Sequence, residues 1–208
     1  MSSTATGQAD ELRALGVATL HEANHRRGLM TGVALACGGP FAGPAVTVTI
    51  PAGDNLGIHW LLADFPPGSV LCVASRGQGR FGCVGELIAR SARALGAAGM
   101  VIDDAVRDIA QLDEVGFPIA SRGISAQGTI KRRAIDLGET VALGGVAVRV
   151  GDWVVADRDG VVAIAGPTVE EVMERARQRL AKEELIGAAL DWGRTTVDVL
   201  GLAPGPRP

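Results

Sequence analysis

The chain has 208 residues, 47% of them hydrophobic and 21% charged, with a formal net charge of −3. That size and balance fit one globular domain over residues 1–208, able to bury a single large core. The weak negative charge leaves no electrostatic footprint for nucleic acid or an acidic membrane, and with 29 Gly and 3% aromatics the core must be built from Val, Ile, Leu and Ala between tight turns.

Along the chain, Asp10 to about Arg27 predicts a helix, because Leu12, Leu15, Ala18, Leu20 and Ala23 form a rough helical stripe. Glycine-rich punctuation, GVALACGGPFAGP, precedes AVTVTI, a strand rich in β-branched residues. PAGDNLGIHWLLADF predicts a turn, with Asp54 or Asn55 as helix cap, and then a short helix. GSVLCVAS is a second strand, VGELIARSARALG a helix ending at Gly96, and GMVIDD a third strand. VRDIAQLDEVG is another short helix and FPIASRG a fourth strand. After about Ser125 short Val-rich runs separated by Gly or Asp-Gly predict antiparallel β structure. Thr168 to about Leu190 is a charged helix, with Thr168 and Glu171 spaced as a capping box. Residues 1–8 and the Pro/Gly-rich 202–208 are expected to be flexible.

The first residues, MSSTATGQADELRALG, lack a basic segment followed by an apolar one, so no signal peptide is expected. No apolar run approaches the ~18 residues of a membrane span. Cys37, Cys72 and Cys83 are odd in number and lack metal-binding spacing, which suits free thiols in a reducing cytoplasm.

Three motifs compete for the chemistry. Gly77-x-Gly79-x-x-Gly82 has the spacing of a dinucleotide loop between a strand and a helix, with Asp103 as the acid that would follow. Against it, Arg80 and Phe81 crowd the loop, the helix begins nearer Gly85, and no further βαβ units follow Ser125. His21-Glu-Ala-Asn-His25 matches the zinc-protease pattern literally, but it sits near the N-terminus with no third ligand in view. The third is Gly85-Glu86 together with Arg107-Asp108. A helix starting near Gly85 aims unpaired N–H groups at any small anion, and the missing Cβ allows close approach. In a βαβ unit the end of the next strand lies beside that helix start. Arg107 there could grip a carboxylate and stabilise an enolate oxygen. Asp108 offers hard oxygen ligation to Mg²⁺ or Mn²⁺, with Glu86 orienting one of the metal's waters. From spacing alone, the acids serve equally well as helix-dipole partners, and Arg107-Asp108 as a solvated pair.

The segment GELIARSARALGAAGMVIDDAVRDIAQL resembles the central part of the RraA-like family, which includes the class II 4-hydroxy-4-methyl-2-oxoglutarate / 4-carboxy-4-hydroxy-2-oxoadipate aldolases. The shared signature is an acid, twenty residues, then Arg-Asp: here Glu86, then Arg107-Asp108. GVATLHEA, PAGDNLGIH, FPIASRGISAQGTIKR and GDWVVADRDGVVAI resemble family segments in the same order, so the resemblance covers nearly the whole chain.

This resemblance implies an α/β fold in β/β/α layers, with a βαβ core and a β-rich C-terminal half flanked by helices. It implies a homotrimer or a dimer of trimers. It further implies that a small 2-oxo acid binds on the backbone of Gly85, Glu86, Leu87 and Ile88, with Arg107 at its carboxylate and carbonyl and Asp108 as the direct ligand of a divalent metal. The reaction implied is C3–C4 cleavage to a pyruvate enolate, an intermediate shared with oxaloacetate decarboxylation. No lysine Schiff base is needed, so Lys131 is expected to be structural or peripheral. By the same resemblance, Glu183 or Glu184 corresponds to the acid that joins a neighbouring subunit's metal shell in the aldolases; a solvated helix face explains them as well. Two departures stand out. The signature acid is Glu86 where the aldolases carry Asp, and Asp103-Asp104 stands where the family commonly reads Asp-Gly. An extra carboxylate at Asp104 is expected to lie near the metal, raising neighbouring acid pKa values or repelling a dicarboxylate. Other RraA-like proteins inhibit a ribonuclease without catalysis, an alternative that the intact Arg107-Asp108 pair disfavours.

Overall fold

The computed structural model describes residues 3–133, 136–203 and 205. Of the ends expected to be flexible, Met1, Ser2, Pro204 and 206–208 lie outside the described residues. The first helix starts at Ser3, earlier than the sequence pattern predicts, and Gln8 hydrogen-bonds Glu170. The single helix expected over Asp10 to Arg27 is two helices, α1 (Ser3–Leu15) and α2 (Val17–Ala23). Gly16, at φ 76°, breaks them apart. The amide of Val17 then finds Asp157 Oδ2 at 2.8 Å instead of a helical carbonyl.

The remaining elements are β1 (Ala34–Cys37), β2 (Phe41–Ile50), α3 (Leu56–Ala63), β3 (Val70–Ser75), β4 (Gly82–Val84), α4 (Glu86–Ala94), β5 (Gly99–Val106), α5 (Ile109–Val115) and β6 (Ile119–Ile124). There follow β7 (Asp136–Leu137), β8 (Val141–Leu143), β9 (Val146–Val148), β10 (Trp153–Asp157), β11 (Gly160–Ile164), α6 (Val169–Asp191) and α7 (Thr196–Leu200). The main sheet runs β1-β6-β5-β3-β2-β10-β11, with β4 beside β5 and β7 beside β2. Its centre, β2, β3, β5 and β6, is parallel, as helical crossovers require. β10 joins β2 antiparallel and forms a hairpin with β11, while β8 and β9 make a separate antiparallel pair.

The alternation of strand side chains divides the core. Leu71 and Val73 of β3, with Met100 and Ile102 of β5, pack under Ile58, Ala89 and Leu112 of α3, α4 and α5. Val70 and Cys72 of β3 and Val101 of β5 face the other way, onto Leu143, Val148, Val154 and Val161 of the β-rich half. Leu12, Leu20, Val172 and Met173 of α1, α2 and α6 cover Val162 and Ile164 of β11. The result is the layered α/β architecture expected, with helices flanking the β-rich half.

Two local expectations fail. Thr168 stands at the start of α6, but its hydroxyl donates to Ala165 O and Glu171 pairs with Arg175, so no capping box forms there. The reciprocal cap lies instead at Thr195 and Asp198, at the start of α7. The short strands β1 and β4 were not expected from sequence, β4 because its three residues lie within the glycine-rich stretch.

Candidate active site

The carboxyl ends of parallel strands in an open α/β sheet are where ligands bind. At that edge a cavity of about 450 Å³ is lined by Asn55, His59, Cys83, Gly85, Glu86, Leu87, Ile88, Arg107, Asp108, Gln111 and Lys131. It brings together all six residues that the resemblance singled out.

Gly85 is the N-cap of α4, and Glu86 is the first helical residue. The amides of Leu87 and Ile88 fall in the first turn, where no helical carbonyl reaches them. Leu87 is 81% exposed, so its side chain stands at the cavity mouth. β5 continues to Val106 and delivers Arg107, whose amide donates to Val84 O at 2.9 Å. Asp108 then turns the chain into α5 in the left-handed region, φ 59° and ψ 43°. This conformation is sparsely populated for a residue with a Cβ, although Asp tolerates it better than most.

Two glycines make room for these side chains. A Cβ on Gly85 would overlap Asp108 Oδ2, and one on Gly82 would overlap Ser125 O and crowd Arg107 Cβ at 3.0 Å. Arg107 and Asp108 are each nearly half exposed, with Arg107 Nε 3.6 Å from Asp108 Oδ2. The Glu86 amide donates to the same oxygen at 3.3 Å. The Glu86 carboxylate turns along its own helix to Arg90 Nε at 2.7 Å.

Asp108 is the residue suited to a metal. Among the described residues no three His, Cys, Asp or Glu side chains converge into a protein cage. One accessible carboxylate, hydrogen-bonded through Oδ2, with Glu86 on the same wall, fits a hard cation that keeps most of its water. It does not fit a site with three protein ligands.

Asn55, His59 and Gln111 also line this cavity and were not among the residues expected there. Lys131, expected to be peripheral, lines it too. It is held by the segment after Gly128. Asn55 N donates to Ile130 O at 3.0 Å and Ile130 N to Gly53 O at 2.9 Å. The buried Asp54 carboxylate accepts from the amides of Leu56, Arg132 and Arg133. Burial raises the Asp54 pKa, but these three donors outweigh it and hold the carboxyl below its ordinary value. Asp54 thus does the capping work at the start of α3, while Asn55 takes the N-cap position. Cys83 is no nucleophile: burial first, then the Asp104 carboxylate, push its thiol well above the ordinary range.

Asp104 departs from expectation. It is fully buried and does not line the cavity. Its carboxylate accepts from Ser75 Oγ at 2.6 Å, from the Phe81 amide at 3.0 Å and from its own neighbour, the Ala105 amide, at 2.9 Å. It therefore pins the glycine-rich loop and presents no charge to the substrate. The same geometry disposes of the dinucleotide reading. A Cβ on Gly77 would overlap the Asp104 carboxylate, so the loop wraps an acid where a pyrophosphate would need room. The His21/His25 pattern also fails as a zinc helix. α2 ends at Ala23, and His25 lies beyond it at φ 55°. Glu183 pairs with Arg179 on the surface of α6, and neither Glu183 nor Glu184 lines the cavity of its own chain.

Comparison with known proteins agrees with this architecture. The family model for RraA-like proteins, described as Aldolase/RraA, matches residues 10–163. This chain belongs to the RraA-like family. A relative from Halalkalibacterium halodurans, provisionally named 4-hydroxy-4-methyl-2-oxoglutarate aldolase, is 34% identical over 68% of each chain. A relative of the same provisional name from Paraburkholderia phytofirmans is 38% identical over 59% of this chain and 74% of its own. Among solved structures, an uncharacterized protein from Pseudomonas syringae pv. tomato superposes with a TM-score of 0.84 at 26% identity, covering 94% of this chain and 93% of its own. RraAS2 of Streptomyces coelicolor, described as an unusual member of the RNase ES inhibitor RraA family, gives 0.75 at 27% identity, over 86% and 94%.

Proposed function

We propose that the protein is a divalent-metal-dependent lyase that cleaves 4-hydroxy-4-methyl-2-oxoglutarate-type 2-oxo acids to pyruvate and also decarboxylates oxaloacetate. The observation that carries this reading is one cavity holding the α4 N-terminus, the Arg107 guanidinium and the Asp108 carboxylate. The provisional names of the relatives support the same substrate class.

The substrate carboxylate rests on the Leu87 and Ile88 amides, where the helix end favours negative charge. Arg107 spans that carboxylate and the 2-oxo oxygen. Asp108 would hold Mg²⁺ or Mn²⁺, with Glu86 orienting one of its waters, and a cation bound there supplies Lewis-acid polarisation of the 2-oxo group. As the C3–C4 bond breaks, its electron pair passes into the 2-oxo group to give a pyruvate enolate. The C4 hydroxyl loses its proton and becomes the second carbonyl, and a proton added at C3 completes pyruvate. Arg107 faces the oxygen on which charge builds. In oxaloacetate the same electron flow releases carbon dioxide in place of a ketone. We further propose assembly as a homotrimer or dimer of trimers, in which Glu183 or Glu184 approaches a neighbouring copy's site.

Pyruvate release, coupled to a dehydrogenase and measured with Mg²⁺, Mn²⁺ or EDTA, tests the lyase reading. Turnover should vanish with EDTA, and Arg107→Ala should lower kcat by ~10²-fold or more. Folded protein giving no release above the metal-only background from either substrate would overturn it. The likeness to RraAS2 favours a second reading, a protein-binding regulator of a ribonuclease. Capture of RNA-degrading enzymes by a catalytically silent protein would select it.

A further inference from the structure

The proposed chemistry leaves Asn55, the N-cap of α3, and His59, on that helix, without a role, although both line the cavity. Asn55 is 5% exposed. Its Nδ2 donates to Cys83 O at 2.9 Å, which fixes the orientation of the amide and turns Oδ1 away as a pure acceptor. Among the described residues, two buried side-chain atoms have no hydrogen-bond partner, Asn55 Oδ1 and His59 Nε2. Both belong to residues lining this one cavity. A buried polar atom left alone costs the full loss of its hydration, so such a pair points to a group that fills both.

The chemistry of that group follows from the atoms. Asn55 Oδ1 needs a donor, which no carboxylate, ketone or aldehyde offers. His59 is half-buried, with the Lys131 ammonium nearby. Burial first, and that charge second, hold the imidazole below its ordinary value of 6.5, so near neutral pH it offers one N–H and no charge. An alcohol gives one hydrogen bond and takes another, and so fills both.

We propose that Asn55 and His59 form a subsite for the C4 hydroxyl of a 4-hydroxy-2-oxo dicarboxylate, the O–H donating to Asn55 Oδ1 and the oxygen accepting from His59 Nε2–H. Lys131, which lines the same cavity, takes the distal carboxylate. The inference rests on the lyase reading for its substrate, and it adds what that reading lacks: the residues that separate an aldol substrate from a plain 2-oxo acid. A site built to bond a hydroxyl discriminates strongly against a ligand without one, because its own buried groups are then left unpaired.

The test compares wild type with His59→Phe, which keeps bulk and removes the N–H, and with His59→Gln, which returns an amide N–H. For 4-hydroxy-4-methyl-2-oxoglutarate, His59→Phe should lower kcat/KM by ~10- to 100-fold, with partial recovery in His59→Gln. Oxaloacetate, whose C4 carboxylate can take the His59 N–H but brings no proton to Asn55 Oδ1, should lose less in His59→Phe than the aldol substrate does. Equal losses on the two substrates, or none on either, would overturn the subsite. A second measurement does not depend on turnover: calorimetric binding of 2,4-dihydroxyglutarate and 2-hydroxyglutarate, which differ in the C4 hydroxyl and carry no 2-oxo group to cleave. Wild type should prefer the first by ~10-fold and His59→Phe should lose that preference. Should wild type turn over neither substrate yet keep the hydroxyl preference, the lyase reading fails and the subsite stands. Absence of the preference in wild type refutes the subsite alone.

Discussion

Asp108 is held in a left-handed conformation at φ 59° while its carboxylate faces the cavity. That conformation costs a side chain with a Cβ roughly 1–2 kcal/mol, and less for Asp or Asn. Asp108→Asn should therefore keep the melting temperature close to wild type while losing metal-dependent turnover. Asp108→Ala should lose the turnover and about 1 kcal/mol of stability as well, which thermal unfolding of the two variants side by side would show. Asp104, four residues earlier and within β5, predicts the opposite. With its carboxylate gone, Ser75 Oγ and the Phe81 amide are left buried around a hole, so Asp104→Ala should cost about 2–4 kcal/mol in denaturant unfolding. The two acids look alike in sequence and stand close together, yet one faces a cavity and the other a loop. The meeting of Glu86, Arg107 and Asp108 was legible because strand, helix and strand repeat a known handed unit, whose geometry puts a helix start beside the next strand's end. The placement of Asp104 was not, because it depends on how the Ser75–Phe81 loop folds back, and nothing in local spacing reports that.

At the scale of elements, the start of α3 and the Ile130–Arg133 strap form one unit joined by Asp54. Folding depresses the Asp54 pKa, so its contribution is present above the ordinary carboxylate value of 3.8 and is lost as pH falls through the lowered one. Wild type should thus lose stability from about pH 4 downward more steeply than Asp54→Asn. Denaturant midpoints at a series of acid pH values give the slope, and parallel curves would refute the assignment. The sequence marks Asp54 or Asn55 as a helix cap, and that much is visible locally. Their bonds to a strap about 75 residues on are long-range, which is why Asn55, His59 and Lys131 were not expected to line one cavity. The capping box expected at Thr168 failed for a related reason: Arg175 takes Glu171 before it can reach back, and Thr168 bonds the preceding turn. Alternation in β3 and β5, by contrast, divides the two faces of the sheet as the period of two requires.

Across the whole molecule, α6 is the element whose length exceeds its packing. Its 23 residues span about 35 Å, and burial stops at Ala176. Beyond that point Leu185 and Trp192 are 74% and 89% exposed. Apolar side chains of this size, left in water on a helix, suit an assembly surface. Replacing both by Asp should move the light-scattering mass toward the single chain without lowering the unfolding temperature of the core. An unchanged mass above that of the single chain would place assembly elsewhere, and a wild-type mass of one chain would refute it.

The cavity itself is unevenly founded. Its floor rests on β5, on Gly82 and Gly85 and on Arg107 and Asp108, where a Cβ added at either glycine meets another atom. Its mouth carries Leu87, 81% exposed, whose side chain supports nothing beneath it. Changes at that residue fall outside the core and stay within about ±0.5 kcal/mol of stability. Such an arrangement lets a lineage, or a directed-evolution library, vary the mouth while the floor that carries Arg107 and Asp108 is left alone.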